Sequence, residues 1–562
     1  MRKLLLIISI LIVSYNVVHA QLSEKDRFEI SKSLDIYNAL FKELNLFYVD
    51  SINAGKTMAD NIEFMLKRLD PYTEYIPEEE LSDFLTATTG EYAGIGAGIL
   101  SYKGKIFVTE PFEGMPAALA GLQAGDILME INGEKMDGRN SSYASERLKG
   151  QPNTTVKVKF QRPGEKKPRE VSINRKRIEI DPVTYYSVLK GNTGYIYLSG
   201  FTTHSAHSVK AAFEDLKTNK GITSLIIDVR DNGGGVVEDC LEILNYFIPK
   251  GKLLLTMKGK VRQLDRIYRS TQQAIDSVIP LAVLVNRQSA SAAEILAGAF
   301  QDLDRAVVVG SRTYGKGLVQ SSRQLPYNGQ LKVTTAKYYI PSGRCIQAID
   351  YSHRNDDGSV SYIPDSLTSV FYTSKGRPVR DGGGILPDFV IEEKKMPAMV
   401  YYLEAENLFF EFVVQWRTKH PAIDSPEKFT MTDEIYGEFK VFLKSKDFNY
   451  DRQSEKALDN LKDIMAFEGY WDTSSEEFKA LENRLKPDLD RDLDLYKDQL
   501  SDLLARQIMK QYYYAKGEII YALRNDDGLK KALETLSDKD LYLKTFTFLI
   551  PVSDRQKCST QL

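Results

Sequence analysis

One lysine of this chain lies in a sequence pattern that fits two different chemistries. The stretch VVVGSRTYGKGLVQ, residues 307–320, places Lys316 in the spacing of a phosphate-binding loop, which is glycine, four residues, glycine and lysine. Such a loop needs Ser or Thr directly after the lysine to hold magnesium, and a helix whose N-terminal amides face the phosphates. Gly317 occupies the Ser/Thr position, and β-type residues with a proline turn follow it. The sequence therefore argues against a nucleotide site.

The same lysine has the surroundings of a general base. Lys316 stands among valine, tyrosine and leucine residues, and desolvation lowers the pKa of an ammonium group and makes the neutral amine available. A nucleophile for that base, Ser291, lies between a predicted strand and a predicted helix. Ser291 and Glu294 also fit a capping box, in which the serine only caps the helix. The alanines around Ser291 favour the nucleophile, because they leave room for a substrate backbone beside the amides of a helix start.

A glycine run forms a third motif upstream of the serine. SLIIDVRDNGGG, residues 224–235, runs from a predicted buried strand through Gly233 and Gly234 towards a predicted helix. Taken alone, this is a tight turn between a strand and a helix. Beside a serine nucleophile, its amides would form an anion-binding nest. Each of the three motifs is weak alone, but their occurrence together in this order favours one shared site.

The three motifs resemble the core of a known family. DVRDNGGG, NRQSASAAEILAGAFQD and GSRTYGKGLVQ are similar to the core motifs of the carboxy-terminal processing proteases, also called tail-specific proteases. In that family a Ser–Lys dyad with an assisting glutamine hydrolyses peptide bonds near protein carboxyl ends. The resemblance implies that Ser291, rather than Ser289, is the nucleophile. It also implies that Lys316 is the general base and that Gln320 assists it.

The mechanism that this resemblance implies is acyl transfer in two steps. The neutral lysine amine takes the proton from the serine hydroxyl, whose oxygen attacks the scissile carbonyl, and water then releases the acyl group. The main-chain amides of Ala292 and of Gly233 or Gly234 are expected to form the oxyanion hole. This chemistry needs neither a metal ion nor a cofactor, and we expect none.

The resemblance extends beyond these motifs to roughly residues 30–395. LDPYTEYIP, residues 69–77, resembles the segment that precedes the PDZ domain of the family, and YYIPSGRCIQ and GGGILPDFVI resemble the end of the protease core. Two departures stand out: Cys345 where the family often has serine, and an insertion from Asp350 to Asp381. We expect the insertion to affect substrate access and to leave the dyad untouched.

A PDZ domain is the second part of the resemblance. PAALAGLQAGDILMEING, residues 116–133, is a close PDZ match, and YAGIGAGI, residues 92–99, resembles the carboxylate-binding loop of such domains. PDZ domains add a peptide carboxyl terminus to a sheet as an extra strand. The residues whose amides are expected to bind the terminal carboxylate are Ala93, Gly94, Ile95 and Gly96. A PDZ-like fold that only packs against the protease is the alternative.

Hydrophobic patterning indicates which elements must position these residues. Residues 23–69 have helical spacing, residues 90–175 form short β-type runs with glycine turns, and residues 180–395 alternate strands and helices. Beyond residue 398 the period is helical again. We predict an α/β multidomain protein, whose crotonase/ClpP-like α/β protease core, as the family resemblance implies, carries an inserted PDZ domain and helical N- and C-terminal regions. The predicted boundaries are 1–20 for a signal peptide, 21–88 for an N-terminal helical region, 89–176 for the PDZ domain, 177–397 for the Ser–Lys protease core and 398–562 for a C-terminal helical region.

The first twenty residues predict export. Arg2 and Lys3 precede an apolar run, and small residues before and at Ala20 fit a signal-peptide cleavage site. The apolar run is short for a bilayer span of about 20 residues, which disfavours a membrane anchor. We expect cleavage near Ala20 and a periplasmic or otherwise exported protein. The three cysteines of the chain are too few for a disulfide framework.

Composition and motifs together leave three functional hypotheses. Apolar residues make up 43% of the 562-residue chain and charged residues 27%, as in folded soluble proteins, and the net charge of −3 gives no reason to expect nucleic acid. The leading hypothesis is an exported serine endopeptidase that binds protein substrates by their C-terminal tails. The alternatives are a catalytically silent PDZ adaptor and a different enzyme on a crotonase-like scaffold. A homo-oligomer and an adaptor or activator protein stay open as partners.

Overall fold

A computed structural model describes residues 23–355, 359–446, 448–485 and 488–547, apart from the side chains of Asp365 and Gln453. The predicted signal peptide at residues 1–20 and Cys558 lie outside these residues. The described chain divides into two compact units. The first contains residues 23–89, 186–390 and those from 531 onwards, and the second contains residues 90–185 and 391–530.

Helices and one short strand form the N-terminal part of the first unit. The elements are α1 Glu24–Phe47, α2 Ala54–Lys67, β1 Glu74–Ile76 and α3 Glu78–Thr89. Ser23 and Asn53 cap α1 and α2, since each side chain accepts a hydrogen bond from the main-chain N–H three residues on. Within the described chain α1 buries none of its residues, and apolar side chains such as Phe28 and Leu34 are exposed.

Short antiparallel strands follow in the second unit. The elements are β2 Glu91–Gly94, β3 Ala97–Tyr102, β4 Lys105–Pro111, α4 Pro116–Leu119, β5 Ile127–Ile131, β6 Glu134–Lys135, α5 Ser141–Leu148, β7 Thr155–Gln161, β8 Arg169–Asn174 and β9 Lys176–Glu179. Five strands form one sheet in the order β3-β4-β5-β7-β8, β6 pairs with β5, and β2 pairs with β9. Alternate residues of β7, Val156, Val158 and Phe160, are buried in the core. Among the described strands β3 pairs only with β4, so its other edge has no strand partner.

A mostly parallel sheet forms the centre of the first unit. The elements of this region are β10 Val183–Leu189, β11 Thr193–Leu198, α6 Ser205–Glu214, β12 Ser224–Asp228, α7 Val237–Phe247, β13 Leu253–Gly259, β14 Arg266–Arg269, β15 Leu281–Val285, α8 Ala292–Asp302, β16 Val307–Gly310, β17 Leu318–Gln324, β18 Gln330–Tyr339, β19 Ile349–Arg354, β20 Val360–Tyr362, β21 Val370–Tyr372, β22 Pro378–Arg380 and β23 Phe389–Val390. The central sheet has the order β10-β11-β12-β15-β16-β23 and is parallel from β11 to β23. Every residue of β12 and β15 is buried, as expected for a parallel sheet that helices cover on both faces.

A second sheet in the same unit joins the N-terminal segment to the chain that follows β16. Its order is β1-β18-β13-β14, and β17 also pairs with β18. The pairing of β1 with β18 sets Glu74 opposite Lys332. The predicted insertion contains two antiparallel hairpins, β19–β20 and β21–β22. This sheet therefore brings the LDPYTEYIP segment to the strands after Lys316.

Helices make up the rest of the described chain. They are α9 Ala398–Ala405, α10 Leu408–Arg417, α11 Asp433–Ser445, α12 Gln453–Glu468, α13 Trp471–Leu485, α14 Leu489–Leu495, α15 Lys497–Ala522, α16 Asp527–Ser537 and α17 Lys539–Thr545. Aromatic side chains such as Phe412, Trp416 and Phe439 pack in the core of the second unit. In the described part of the chain, no helix combines the length and the apolar character that crossing a membrane requires. The α/β multidomain prediction is thus confirmed.

Candidate active site

Ser291 occupies a strained turn between β15 and α8. Its φ of 55° and ψ of −115° are unusual for a residue other than glycine, and such strain is concentrated at functional sites. The Ser291 side chain is half-buried. Ser289, in contrast, is fully buried, and its hydroxyl donates a hydrogen bond to the Val229 carbonyl at 2.7 Å. Of the two serines in the Ser-Ala-Ser pair, Ser291 is the one that a substrate can reach.

Lys316 lies in the loop between β16 and β17 with its side chain half-buried. Burial lowers the pKa of Lys316 from 10.5 to about 8, and the positive charge of Lys332 acts in the same direction. Three carboxylates oppose this shift: those of Glu74, Asp70 and Glu294. At neutral pH a lysine with this pKa is neutral in about a tenth of the molecules, far more often than an exposed lysine.

The carboxylate of Glu294 joins the serine turn to the lysine loop. Its Oε2 atom accepts the main-chain N–H of Ser291 at 2.9 Å and that of Lys316 at 2.8 Å. Its Oε1 atom accepts the N–H of Gly315 at 2.7 Å and the hydroxyl of Thr313 at 2.5 Å. The side chain is fully buried, and burial raises the pKa of Glu294 to about 7 although all four hydrogen bonds lower it. One side chain thus holds both main-chain segments.

Tyr338 makes the complementary contact with the carbonyl groups. This residue of β18 is buried, and its hydroxyl lies within hydrogen-bond distance of the carbonyl oxygen of Ser291, at 3.2 Å, and of that of Lys316. Glu294 accepts the N–H groups of the same two residues. The main chains at Ser291 and Lys316 are therefore fixed on both their donor and their acceptor sides.

The glycine run packs directly against the serine. Gly234 has a φ of +96°, and a Cβ atom at this position would lie 2.7 Å from the Ser291 Cβ, so only glycine permits this approach. The Gly234 N–H donates to the side-chain oxygen of Asn232 at 2.9 Å. Among the hydrogen bonds of the described residues, none uses the N–H of Gly233 or of Ala292. Those two amides are therefore the ones available to an oxyanion.

Asn232 connects the glycine run to the serine turn. Its side-chain NH₂ group donates to the Leu198 carbonyl at 2.8 Å, and its main-chain carbonyl accepts the N–H of Ala290 at 2.9 Å. Asn232 is fully buried, so these hydrogen bonds lie in the core of the first unit. The loop that carries Gly233 is thereby held at a fixed distance from the start of α8.

Gln320 lies on β17 opposite Thr334 of β18. Its side-chain amide donates to the Thr334 hydroxyl at 3.0 Å. Within residues 23–355, no hydrogen bond joins Gln320 to Lys316, or the Lys316 amine to the Ser291 hydroxyl. The amine instead lies 4.2 Å from the centroid of the Tyr72 ring. The structure brings the main chains of Ser291 and Lys316 together and leaves their side chains without a mutual hydrogen bond.

The four residues predicted to bind a peptide carboxylate lie where β2 turns towards β3. Ala93 and Gly94 belong to β2, which is paired with β9. Ile95 is buried, and its carbonyl accepts the N–H of Ala117 at 2.8 Å. Gly96 has a φ of +73°, which turns the chain into β3. The loop thus leads directly to the strand edge that has no partner.

Tyr92 covers this loop from the same strand. A Cβ atom on Gly94 would lie 2.8 Å from the Tyr92 ring, so the ring lies against that glycine. Burial raises the pKa of Tyr92, whereas the main-chain N–H groups of Ala97 and Gly96 lower it by donating towards the hydroxyl. A peptide carboxylate that uses these two N–H groups must displace the Tyr92 hydroxyl.

The two described cysteines are poor candidates for a nucleophile. Burial raises the pKa of both Cys240 and Cys345, which disfavours the reactive thiolate. The Cys240 thiol donates to the Ala292 carbonyl at 3.2 Å and so links α7 to the first residue of α8. In the described part of the chain, no group of three or more His, Cys, Asp or Glu side chains is arranged to hold a metal ion.

Some residues of this site were missed by the sequence analysis. The sequence predicts Glu294 only as a partner in a helix cap, and it indicates no role for Tyr338, Thr334 or Asn232. A signal existed for two of them, because Asn232 directly precedes the glycine run and Tyr338 begins the YYIPSG motif. Their partners are distant in sequence, so the contacts themselves follow only from the fold.

Comparisons with known proteins agree on one family. Three family profiles match the chain: peptidase family S41 over residues 192–352, a PDZ domain over residues 107–162, and the probable PDZ-protease C-terminal helical domain over residues 399–536. A carboxy-terminal-processing protease of Bartonella bacilliformis is 33% identical over 321 residues, which cover 57% of this chain and 73% of that protein. A probable CtpA-like serine protease of Staphylococcus aureus is 33% identical over 341 residues, or 60% of this chain and 67% of that protein. The solved structure of a photosystem II D1 C-terminal processing protease is 26% identical with a TM-score of 0.34, and the match covers 64% of this chain and 94% of that chain.

The Glu294→Gln substitution tests the bridge between the serine and lysine segments. A glutamine side chain places an amide NH₂ against main-chain N–H donors, and each buried donor left unpaired costs about 1–3 kcal/mol. We expect the rate of peptide hydrolysis to fall by at least about 100-fold, which corresponds to about 2.7 kcal/mol. The rate is measured on an unstructured reporter peptide, with Glu214→Gln on the exposed end of α6 as the matched control.

The same variant has a pH signature in its stability. Because the pKa of Glu294 is raised from 4.5 to about 7 in the folded protein, its contribution to stability is fully present below pH 4.5 and is lost as the pH rises through 7. The advantage in unfolding free energy of wild type over E294Q is therefore expected to shrink by roughly 3 kcal/mol between pH 4.5 and 8. If urea unfolding gives the same advantage at both pH values, the pKa of Glu294 is not raised in the folded protein.

Proposed function

Because the chain belongs to the carboxy-terminal processing proteases of peptidase family S41, serine peptidases with a PDZ domain, we propose that Ser291 and Lys316 form its catalytic dyad. The observation that carries this proposal is the Glu294 carboxylate, whose Oε2 atom accepts the main-chain N–H groups of both residues. The half-buried lysine with a lowered pKa and the strained serine turn support the same assignment.

The proposed reaction is acyl transfer through a Ser291 ester. The neutral Lys316 amine accepts the hydroxyl proton while the serine oxygen attacks the scissile carbonyl carbon. The N–H groups of Ala292 and Gly233 stabilise the oxyanion, and the resulting ammonium returns its proton to the leaving amine. A water molecule, deprotonated by the same amine, then hydrolyses the ester. The amine must first rotate from its position over the ring of Tyr72 to reach the serine hydroxyl.

Gln320 and Gly234 have supporting roles in this proposal. A glutamine amide does not titrate near neutral pH, so Gln320 orients the lysine amine rather than moving protons. Its hydrogen bond to Thr334 fixes the side chain on β17. Gly234 gives its N–H to Asn232 and keeps the loop close to Ser291, which leaves the oxyanion to Gly233.

The PDZ domain selects the substrate by its carboxyl terminus. The edge of β3 that lacks a strand partner in the described chain can take an extended peptide as an additional strand. The terminal carboxylate would then lie at the loop of Ala93, Gly94, Ile95 and Gly96, where main-chain N–H groups are its ligands. A substrate is thereby bound near its end before the dyad cuts it.

Export is proposed from the first residues of the chain. The basic pair Arg2 and Lys3, the apolar run after it and the small residues before Ala20 fit a cleaved signal peptide. In a cell with two membranes the mature protein would act in the periplasm. A homo-oligomer and an activating partner stay predictions, and the exposed apolar side chains of α1 favour the first of these.

Removal of either dyad residue tests the assigned chemistry. Ser291→Ala and Lys316→Ala, purified without residues 1–20, are each expected to lose about four orders of magnitude or more of peptide hydrolysis. The substrate is an unstructured reporter with an apolar, free carboxyl tail, and cleavage is followed by mass spectrometry. Ser208→Ala and Lys210→Ala on α6 serve as matched controls. If wild type binds the tail and does not cleave it, even with candidate partners, the adaptor hypothesis replaces this one.

The lowered pKa of Lys316 predicts how activity depends on pH. Below pH 8 the amine is mostly protonated and cannot accept the serine proton, so kcat/KM is expected to rise about tenfold per pH unit up to about pH 8 and then to level off. Steady-state rates between pH 6 and 9.5, on a reporter without titratable side chains, give this profile. A rising limb centred near pH 6 would point to a group other than Lys316.

Amidation of the substrate tests recognition of the carboxylate. A peptide with a C-terminal amide loses its charge-assisted hydrogen bonds, which are worth about 1.5–3 kcal/mol, so its affinity is expected to be about 10- to 100-fold lower than that of the free acid. Calorimetric titration of the Ser291→Ala variant measures binding without cleavage. Equal affinity for the two peptides would show that the PDZ loop does not bind the carboxylate.

A further inference from the structure

The LDPYT segment, residues 69–73, contacts the proposed base, because the Lys316 amine lies over the ring of its Tyr72. We propose that Tyr72 is a positioning residue of the Ser–Lys site. Its ring shields the Lys316 amine from water and fixes the position from which the amine rotates towards the Ser291 hydroxyl. The inference rests on the proposed function, because it assigns a role towards the lysine base. Its evidence is the contact between the two side chains and the hydrogen bonds that hold the tyrosine in place.

The ring of Tyr72 lies directly against the amine. The Lys316 Nζ atom is 4.2 Å from the ring centroid, which is cation–π distance. The Tyr72 hydroxyl lies 3.4 Å from the hydroxyl of Tyr314 and 3.4 Å from that of Tyr351. The rings of Tyr72 and Tyr351 meet edge to face, with centroids 6.0 Å apart at 89°. Three tyrosines thus form a cluster that orients one ring face towards the lysine.

The turn that carries Tyr72 is itself fixed by a buried carboxylate. Asp70 accepts the main-chain N–H groups of Tyr72 and Thr73, both at 2.8 Å, and the Thr73 hydroxyl at 3.1 Å. The Thr73 hydroxyl in turn accepts the Thr334 N–H at 3.2 Å. Thr334 is the residue to which the Gln320 amide donates. The same turn therefore contacts the lysine through Tyr72 and the glutamine through Thr73 and Thr334.

The insertion also acts through this cluster. Tyr351 lies in the insertion and makes no contact of its own with Ser291 or Lys316 among the hydrogen bonds and ring contacts of the described residues. It holds Tyr72 instead, and Tyr72 lies on the lysine. The insertion, which departs from the family pattern, thus supports the position of the base indirectly, through Tyr72.

Two effects of the ring on the lysine oppose each other. Its π face attracts an ammonium ion and so favours protonation, whereas its bulk keeps water away and disfavours the charge. Burial is the dominant cause of the lowered pKa of Lys316, so exclusion of water prevails. The charged groups that face the amine are Lys332, which lowers the pKa further, and Glu74, Asp70 and Glu294, which raise it. Loss of the ring would therefore let the pKa rise towards 10.5.

Tyr72→Leu tests this role through the pH profile. We expect the rising limb of kcat/KM to move from about pH 8 to about pH 9 or above, so that activity at pH 7.5 falls about tenfold and recovers at pH 9.5. Tyr72→Phe keeps the ring over the amine but removes the hydroxyl contacts with Tyr314 and Tyr351, so a shift smaller than that of Tyr72→Leu is expected. Tyr351→Leu removes a support of the ring without changing the ring itself, and a shift in the same direction but smaller is expected. This third variant decides the question if Tyr72→Leu does not fold.

Tyr75→Leu is the matched control, since it makes the same change three residues along the segment, where the ring packs against Gly329. In this variant the rise of kcat/KM with pH is expected at the same pH as in the wild type. A loss in Tyr72→Leu that is equal at every pH, or a gain in activity at pH 7.5, would overturn the inference. The proposed function fails separately, because it requires Ser291→Ala and Lys316→Ala to be inactive whatever happens at Tyr72.

Discussion

The candidate active site depends on one buried carboxylate that receives four hydrogen bonds. Glu294 is fixed on α8, and its donors come from the serine turn and from the lysine loop: Ser291, Thr313, Gly315 and Lys316. Neither segment has regular secondary structure, so the carboxylate replaces the hydrogen bonds that a sheet or helix would supply. Burying this charge is unfavourable, as the raised pKa shows, and the four donors are what offset it.

The parallel sheet explains why these segments can meet at all. β12, β15 and β16 are adjacent and parallel, so the chain leaves all three at the same edge. The glycine run follows β12, Ser291 follows β15 and Lys316 follows β16. Ligand and catalytic residues gather at such an edge in open α/β sheets. Tyr338 reaches the same point from the second sheet and fixes the carbonyl side of the two segments.

The sequence was sufficient for the parts of this arrangement that are local. Strands and helices followed from periodicity, and Ser291 and Lys316 from short motifs that resemble those of a family. The proposed preference for Gly233 over Gly234 as oxyanion donor was not accessible from the sequence, because it depends on the side chain of Asn232, which accepts the Gly234 N–H. The contact of Glu294 with the lysine loop was not accessible from the sequence either. The capping pattern of Glu294 is local, whereas three of its four donors lie 19 to 22 residues away.

Burial shifts the pKa values of Glu294 and Lys316 in opposite directions. Burial acts on both groups, raising the pKa of the carboxyl to about 7 and lowering that of the amine to about 8. A protonated carboxyl would present a donor where Ser291, Gly315 and Lys316 also present donors. The same burial therefore acts both on the strength of the proposed base and on the charge of the carboxyl that holds its loop.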